Sequence, residues 1–292
     1  MEKRVQVANR WLASGITCQW GEQEVFLDGK TISEWIVFRD DYMPTLNKDA
    51  IAEFVSEMAS QTDTYGKNRE FVTTLGVTVQ LRNGGYGWKT NKPETTDLIA
   101  KAITEGTTSV IEPVYLESAY AKGKSDIGDS FVEIDLSNQH LYLYSKGELV
   151  LESDFVSGNV SANNTTPGGL FGLTYKTKNA VLRGPGYATP VSYWMPFNGN
   201  IGMHDATWRR SFGGNIFLTG GSHGCVNLPK SNAATIYEYV EKNFPVICYY
   251  YPDGQNPIEG GITEGQLASY VAPPEEAPVI DETTPEEAPV VE

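Results

Sequence analysis

Phe131-Val132-Glu133-Ile134-Asp135-Leu136 and Leu141-Tyr142-Leu143-Tyr144 decide the fold class. In the first stretch Phe131, Glu133 and Asp135 alternate with Val132, Ile134 and Leu136, the two-residue period of a strand. A Ser145-Lys146-Gly147-Glu148 turn leads into Leu149-Val150-Leu151, so strands follow one another closely. Toward the C-terminus, Pro167, Gly168, Gly169, Gly184, Pro185 and Gly186 punctuate further short segments, which predicts a mainly β domain. One helix is expected after Ser231, burying Ala233, Ile236, Tyr237 and Val240. Phe244-Pro245-Val246-Ile247-Cys248-Tyr249 reads as a closing strand, with Cys248 an inert core residue.

Toward the N-terminus, Ala121-Lys122-Gly123-Lys124-Ser125 reads as a linker. It divides an α+β domain at 1–122 from the mainly β domain at 123–251. Asn47 is the expected N-cap of a helix whose Ile51, Phe54, Val55, Met58 and Ala59 share one face. Phe71–Leu75 and Val77–Leu81 are strand-like, and Asn83-Gly84-Gly85 gives a turn. A second helix is expected from Pro93-Glu94, burying Leu98, Ile99, Ala102 and Ile103. Gly84-Gly85-Tyr86-Gly87-Trp88 reads as a tight turn with packed aromatics, a sugar- or peptide-stacking surface being the alternative. Met1–Ala13 is amphipathic through Val5, Ala8, Trp11 and Leu12.

Residues 252–292 differ from the rest. Pro274-Glu275-Glu276-Ala277-Pro278-Val279 recurs as Pro285-Glu286-Glu287-Ala288-Pro289-Val290, and seven of the 16 prolines follow Tyr251. A disordered, acidic Pro/Glu-rich tail is expected there, whose removal from residue 273 onward alters neither activity nor melting temperature by much. The chain of 292 residues has a formal charge of −15, yet 252–292 hold ten acids and no Lys or Arg, leaving −5 for the other 251 residues. With no basic stripe to neutralise phosphates, nucleic-acid binding is excluded, and an acidic body gains nothing from anionic lipid. There is no apolar run of 18 or more residues and no signal-peptide pattern. Either the protein is cytoplasmic, or an export signal or anchor lies outside this chain.

Three cysteines, Cys18, Cys225 and Cys248, are too few and too scattered for a disulfide framework. With only His140, His204 and His223 as histidines, a zinc site is not expected. His140 reads as structural or solvent-exposed. Arg183, Arg209 and Arg210 are candidates for gripping a carboxylate, with a merely solvated role the commoner alternative. The chemistry concentrates in His204-Asp205 and Ser222-His223-Gly224-Cys225-Val226-Asn227. A cysteine attacks as its thiolate, and a nearby imidazole can take the proton. Gly220, Gly221 and Gly224 permit a tight turn that exposes the sulfur and frees backbone N–H groups for an oxyanion. On residues alone, a buried cysteine beside two hydrogen-bonded histidines is an equal alternative.

This pattern resembles the signature of the L,D-transpeptidase catalytic family: a histidine, a 14–17-residue spacer, then Ser/Thr-His-Gly-Cys-x-Asn or -Arg. Here the spacer, Asp205 to Gly221, has 17 residues. Val132 to Tyr144 is similar to the family's opening β-hairpin region, and Thr166-Pro167-Gly168-Gly169 to its Thr-Pro-x-Gly turn. Ile201-Gly202-Met203-His204-Asp205 with Trp208 resembles the branch of Gram-positive bacteria. The resemblance covers about 127–250. A weaker one, over roughly 40–115, is to a peptidoglycan-binding domain often placed ahead of this catalytic domain. It is carried by Asp63-Thr64-Tyr65-Gly66-Lys67, Thr73-Thr74 and Gly85-Tyr86-Gly87-Trp88.

The resemblance implies a β-sandwich-like catalytic fold with the cysteine at the base of a cleft. It implies acyl transfer from a peptidoglycan stem tetrapeptide to the side-chain amine of a second stem, giving 3→3 cross-links. Cys225 would be the nucleophile, His204 the proton carrier, and Asp205 its positioner through main chain or side chain. Ser222, His223 and Gly224 would shape the turn, with the Gly224 and Cys225 amides as oxyanion donors. The two imidazoles are expected to depress the Cys225 thiol pKa. The partners are stem peptides, with no nucleic acid, metal or soluble cofactor. The family usually carries a membrane anchor upstream, so the expected location is the extracellular face of the membrane or the cell wall. The alternatives are an L,D-carboxypeptidase or endopeptidase using the same cysteine, and a non-catalytic wall-binding protein.

Overall fold

The N-terminal region is built on strand Gly15–Trp20, which pairs antiparallel with Gln23–Leu27 and parallel with Thr108–Ile111. The computed structural model describes residues 2–122, 125–184 and 186–271. Helices Glu2–Leu12, Lys48–Thr62 and Lys92–Glu105 pack with these strands around Trp11, Ile16, Trp20, Ile51, Val55 and Ile103. Asn47 caps the second helix as expected, its Oδ1 accepting from the Asp49 (3.1 Å) and Ala50 (3.3 Å) amides. The third helix begins one residue earlier than expected, at Lys92, capped by Asn91. Leu98 is not on its buried face: it is 36% exposed, and Thr95 and Thr96 are buried instead. Thr95 belongs there because its hydroxyl accepts from the Val114 amide (3.0 Å), pinning the chain that leaves the helix.

The C-terminal half consists of two sheets sharing one core. One runs in the order Glu148–Asp154, His140–Ser145, Phe131–Asp135, Pro245–Tyr249, Gly169–Gly172. The other runs Thr177–Gly184, Tyr187–Asn198, Ile201–Asp205, Val226–Leu228. Val132, Ile134, Leu141, Leu143 and Cys248 of the first meet Met195, Phe197, Met203 and Val226 of the second. Helix Lys230–Tyr239 covers the core with Ala233 and Ile236, as the sequence predicts. Tyr237 is only partly buried.

The alternation in Phe131–Asp135 does not separate core from solvent, because Glu133 and Asp135 are buried too. Their face is covered by the hairpin Arg69–Val72/Thr78–Leu81 from the N-terminal region. Its Phe71, Val79 and Leu81 pack with Leu170, Ile247 and Tyr251. Glu133 accepts from the Thr74 amide (2.9 Å), the Thr74 hydroxyl (2.7 Å) and the Tyr249 hydroxyl (2.7 Å). Burial still raises its carboxyl above the ordinary value. Burial likewise pushes the Asp135 carboxyl up to about 6, against bonds from the Asn138 amide and side chain. The folded protein therefore binds this proton more tightly than the unfolded chain. The associated stability is present at low pH and is lost as pH rises through about 6. The melting temperature should carry a component that falls from about pH 4 and levels off above about pH 6, and Asp135→Asn should remove it, as a thermal scan against pH will test.

The Gly84–Trp88 cluster is a packed bracket. The Tyr86 hydroxyl donates to Asp126 O (2.8 Å) and accepts from the Tyr120 amide (2.9 Å), while Trp88 Nε1 donates to Ala121 O (3.0 Å). Gly84 sits at φ +113°, and a Cβ there would overlap the Leu170 carbonyl of strand Gly169–Gly172. Gly84→Ala should cost on the order of 3 kcal/mol in a urea titration, from overpacking against backbone together with a left-handed φ.

The expected tail falls in two parts. Residues 272–292 lie outside the described residues. Residues 252–271 do not form a disordered segment, which corrects the expectation. They fold back, placing Ile262 and Leu267 against Val156, Phe217 and Leu218. Thr263 and Gln266 form a capping box that opens a short 3₁₀ helix, Glu264–Tyr270, and the Glu264 amide donates to Tyr251 O (2.9 Å). No helix among the described residues is long and apolar enough to cross a membrane.

Candidate active site

His204 lies on strand Ile201–Asp205, which pairs in parallel with Val226–Leu228 so that His204 stands opposite Asn227. That register brings the histidine beside the chain that carries Cys225. The turn before Cys225 is held by its own residues. The Ser222 hydroxyl donates to Cys225 O (2.6 Å) and accepts from the Gly224 amide (3.1 Å). The Gly224 amide is thus engaged inside the turn, not left open for an oxyanion as the sequence reading had it. Gly224 adopts φ +114°, which only glycine takes without strain. Its carbonyl accepts from the Thr166 hydroxyl (2.7 Å), which itself accepts from the Gly158 amide (2.9 Å). The Thr166-Pro167-Gly168-Gly169 stretch therefore anchors the nucleophile turn from behind.

His204 is 3% exposed. Its Nδ1 lies 2.9 Å from Asp205 O. The Asp205 carboxylate points elsewhere, accepting from the Ser192 (2.7 Å) and Tyr193 (2.8 Å) amides. Of the two routes by which Asp205 was expected to position the imidazole, the contact is through main chain. Trp194 and Trp208 flank the ring, with centroids 6.0 and 5.9 Å away. Burial lowers the His204 pKa below the ordinary histidine value, opposed by the Asp205 backbone bond.

Cys225 Sγ lies 3.6 Å from Asn200 O. Burial raises its thiol pKa, with the Gly202 backbone working in the other direction. The expected depression is therefore reversed. Lost hydration of the thiolate outweighs an imidazole that burial keeps neutral and that supplies no positive charge.

His223 is exposed and lines the same cleft as Cys225 and His204. His140 lies outside it, with Nδ1 2.7 Å from Asp154 on the neighbouring strand. The three candidate arginines part company. Arg183 lines the cleft, Arg210 does not, and Arg209 turns inward. Arg209 Nη1 donates to Gly220 O (3.0 Å). Its Nε (2.7 Å) and Nη2 (3.3 Å) reach the Asn227 amide, whose other terminal atom lies 3.0 Å from His204 Nε2. A guanidinium only donates, so the oxygen of Asn227 faces Arg209 and its nitrogen faces His204. Sequence reasoning gives Asn227 no task and offers Arg209 as one of three candidates for gripping a carboxylate, or else as a solvated side chain.

Residues 129–248 match the L,D-transpeptidase catalytic domain family, and residues 23–112 match a peptidoglycan binding domain family. The chain belongs to the L,D-transpeptidase family. Among solved structures, a mutant of the Enterococcus faecium L,D-transpeptidase is 28% identical, with TM-score 0.68 over 85% of this chain and 100% of that one. The Ldtfm–avibactam carbamoyl enzyme is also 28% identical, with TM-score 0.68 over 85% of this chain and 98% of that one. The catalytic domain of the E. faecium enzyme acylated by ertapenem is 40% identical over 42% of this chain and 98% of that one, with TM-score 0.39. No curated protein matches the chain.

The cleft of this L,D-transpeptidase encloses about 640 Å³ between Tyr175, Arg183, Trp194, Trp208 and the Gly221–Cys225 turn. No Asp or Glu is among its described lining residues, although the chain holds 37 acids. Arg183 opens onto this space, and Arg209 lies at its inner wall, bonded to Gly220 O and the Asn227 amide.

Proposed function

We propose that this L,D-transpeptidase cross-links peptidoglycan through a thioester on Cys225. The observation that carries the reading is the parallel register of His204 with Asn227, which gathers the imidazole and the cysteine turn into one cleft. His204 Nε2 takes the Sγ proton while the sulfur attacks the carbonyl of the third residue of a stem tetrapeptide. In this reading the Cys225 amide donates to the oxyanion, since the Gly224 amide is engaged by Ser222. Collapse breaks the C–N bond, and the leaving D-Ala nitrogen takes the proton from His204. The side-chain amine of a second stem then attacks the thioester, forms the 3→3 bond and returns the proton to sulfur. The thioester conserves the energy of the broken amide, so the exchange needs no nucleotide. His223 forms the rim, and Ser222 and Gly224 hold the turn.

The related carbamoyl enzyme formed with avibactam supports a covalent route on this fold. Both matched families concern peptidoglycan, which ties the chain to the cell wall. We read its working location as the extracellular side, with the region up to residue 122 gripping peptidoglycan and 123–251 performing the transfer. The deciding experiment is mass spectrometry of the protein incubated with a disaccharide-tetrapeptide. A thioester adduct on Cys225 with release of D-Ala is expected, and a cross-linked product on adding an amine acceptor. Adduct formation followed only by hydrolysis in the presence of that amine would instead make the enzyme an L,D-carboxypeptidase.

A further inference from the structure

We infer that Arg209 is a positioning residue that, through Asn227, fixes which nitrogen of His204 holds the proton in the resting enzyme. The inference rests on His204 being the proton carrier. It starts from a property of the guanidinium, which has five N–H donors and no acceptor. Two of its nitrogens meet one atom of the Asn227 amide, at 2.7 and 3.3 Å, so that atom is the oxygen. The amide nitrogen therefore donates to His204 Nε2 at 3.0 Å, and Nε2 must offer a lone pair. The ring proton is then on Nδ1, which donates to Asp205 O at 2.9 Å. Each link in the row Arg209, Asn227, His204, Asp205 has one direction, and the arginine sets it. The third contact, Nη1 to Gly220 O at 3.0 Å, ties the guanidinium to the residue just ahead of the nucleophile turn.

The row also governs proton transfer. When Nε2 takes the Cys225 proton, the imidazolium carries N–H on both nitrogens, and Asn227 faces it donor to donor. Turning the amide over would satisfy Nε2–H but would set the amide NH₂ against Arg209. Of the other groups around the ring, the Asp205 carboxylate favours the charged form, but burial outweighs it. The Asp205 carboxylate is bonded to the Ser192 and Tyr193 amides, Trp194 and Trp208 are neutral, and Arg209 itself is cationic. The resting pair is thus a neutral imidazole and a thiol. The imidazolium formed during attack is poised to give its proton to the leaving amine.

The test is long-range ¹H–¹⁵N NMR of the full chain, ¹⁵N-labelled on histidine, across pH, with a parallel pH–rate profile for Cys225 alkylation. The parent should show the Nδ1–H tautomer of His204 at pH 7. Asn227→Asp supplies an acceptor to both neighbours. It should raise the pH at which His204 titrates by about one to three pH units. Arg209→Gln should move the titration in the same direction by freeing the amide, and Arg209→Lys, which also only donates, should restore the parent tautomer. An Nε2–H tautomer in the parent, or a titration unmoved in both Asn227→Asp and Arg209→Gln, overturns the inference. If Asn227→Asp does not fold, Arg209→Gln decides alone. Failure of the broader reading looks different: the tautomer results would stand, while His204→Ala would leave the alkylation rate unchanged.

Discussion

Cys225→Ala should yield a folded protein that forms no adduct and no cross-link. The variant loses the only thiol of the three in the cleft. Cys18 and Cys248 are wholly buried in the two cores, the former with its thiol pKa pushed up to about 12, so neither can take over. The fold should survive because the turn is held by Ser222, Gly224 and Thr166 and not by the sulfur, which lies 3.6 Å from Asn200 O. Intact-mass analysis with the tetrapeptide, next to a melting curve, gives both readouts. Cross-linking retained by Cys225→Ala would end the thioester mechanism, whereas Cys18→Ala and Cys248→Ala should remain active.

The second large effect is on the base. His204→Ala should slow acylation of Cys225 by a factor on the order of 10²–10⁴, the range for a lost general base. The pH profile matters as much as the rate. A thiol raised by burial beside a neutral imidazole should be sluggish toward a small electrophile at neutral pH and gain reactivity on the alkaline side. Activation then comes with the substrate, when proton transfer and attack proceed together. A parent protein whose thiol titrates well below 8 in alkylation assays would contradict this, as would an acylation rate unmoved in His204→Ala.

The site was legible where chemistry and order coincide. His204, a 17-residue spacer and Ser222-His223-Gly224-Cys225 state a nucleophile, a base and a flexible turn in one line of residues. The Asn227–Arg209 link was not legible. Arg209 and Arg210 stand side by side in the sequence, and nothing local says that the first turns inward while its neighbour stays out of the cleft. The thiol pKa was misread because sequence proximity counts neighbouring imidazoles but not lost water. Strand periods were legible, yet the environment of Glu133 and Asp135 was not, since their cover arrives from a hairpin some sixty residues earlier. Proline and glycine content hid the fold of 252–271, where two apolar side chains and one capping box outweigh composition.

The seam under Glu133 has a mechanical meaning. Gly84 meets Leu170 backbone to backbone, the Leu170 amide donates to Asn83 O (2.9 Å), and the Arg69–Asp126 ion pair closes the same side at 2.7 Å. Such a joint resists bending, so the two halves act as the jaws of a caliper whose gap is set when the chain folds. If the N-terminal half holds one wall strand, Cys225 is offered only those stems that hang at one distance along it. Reach would then be chosen by this fixed seam, before any stem enters the cleft.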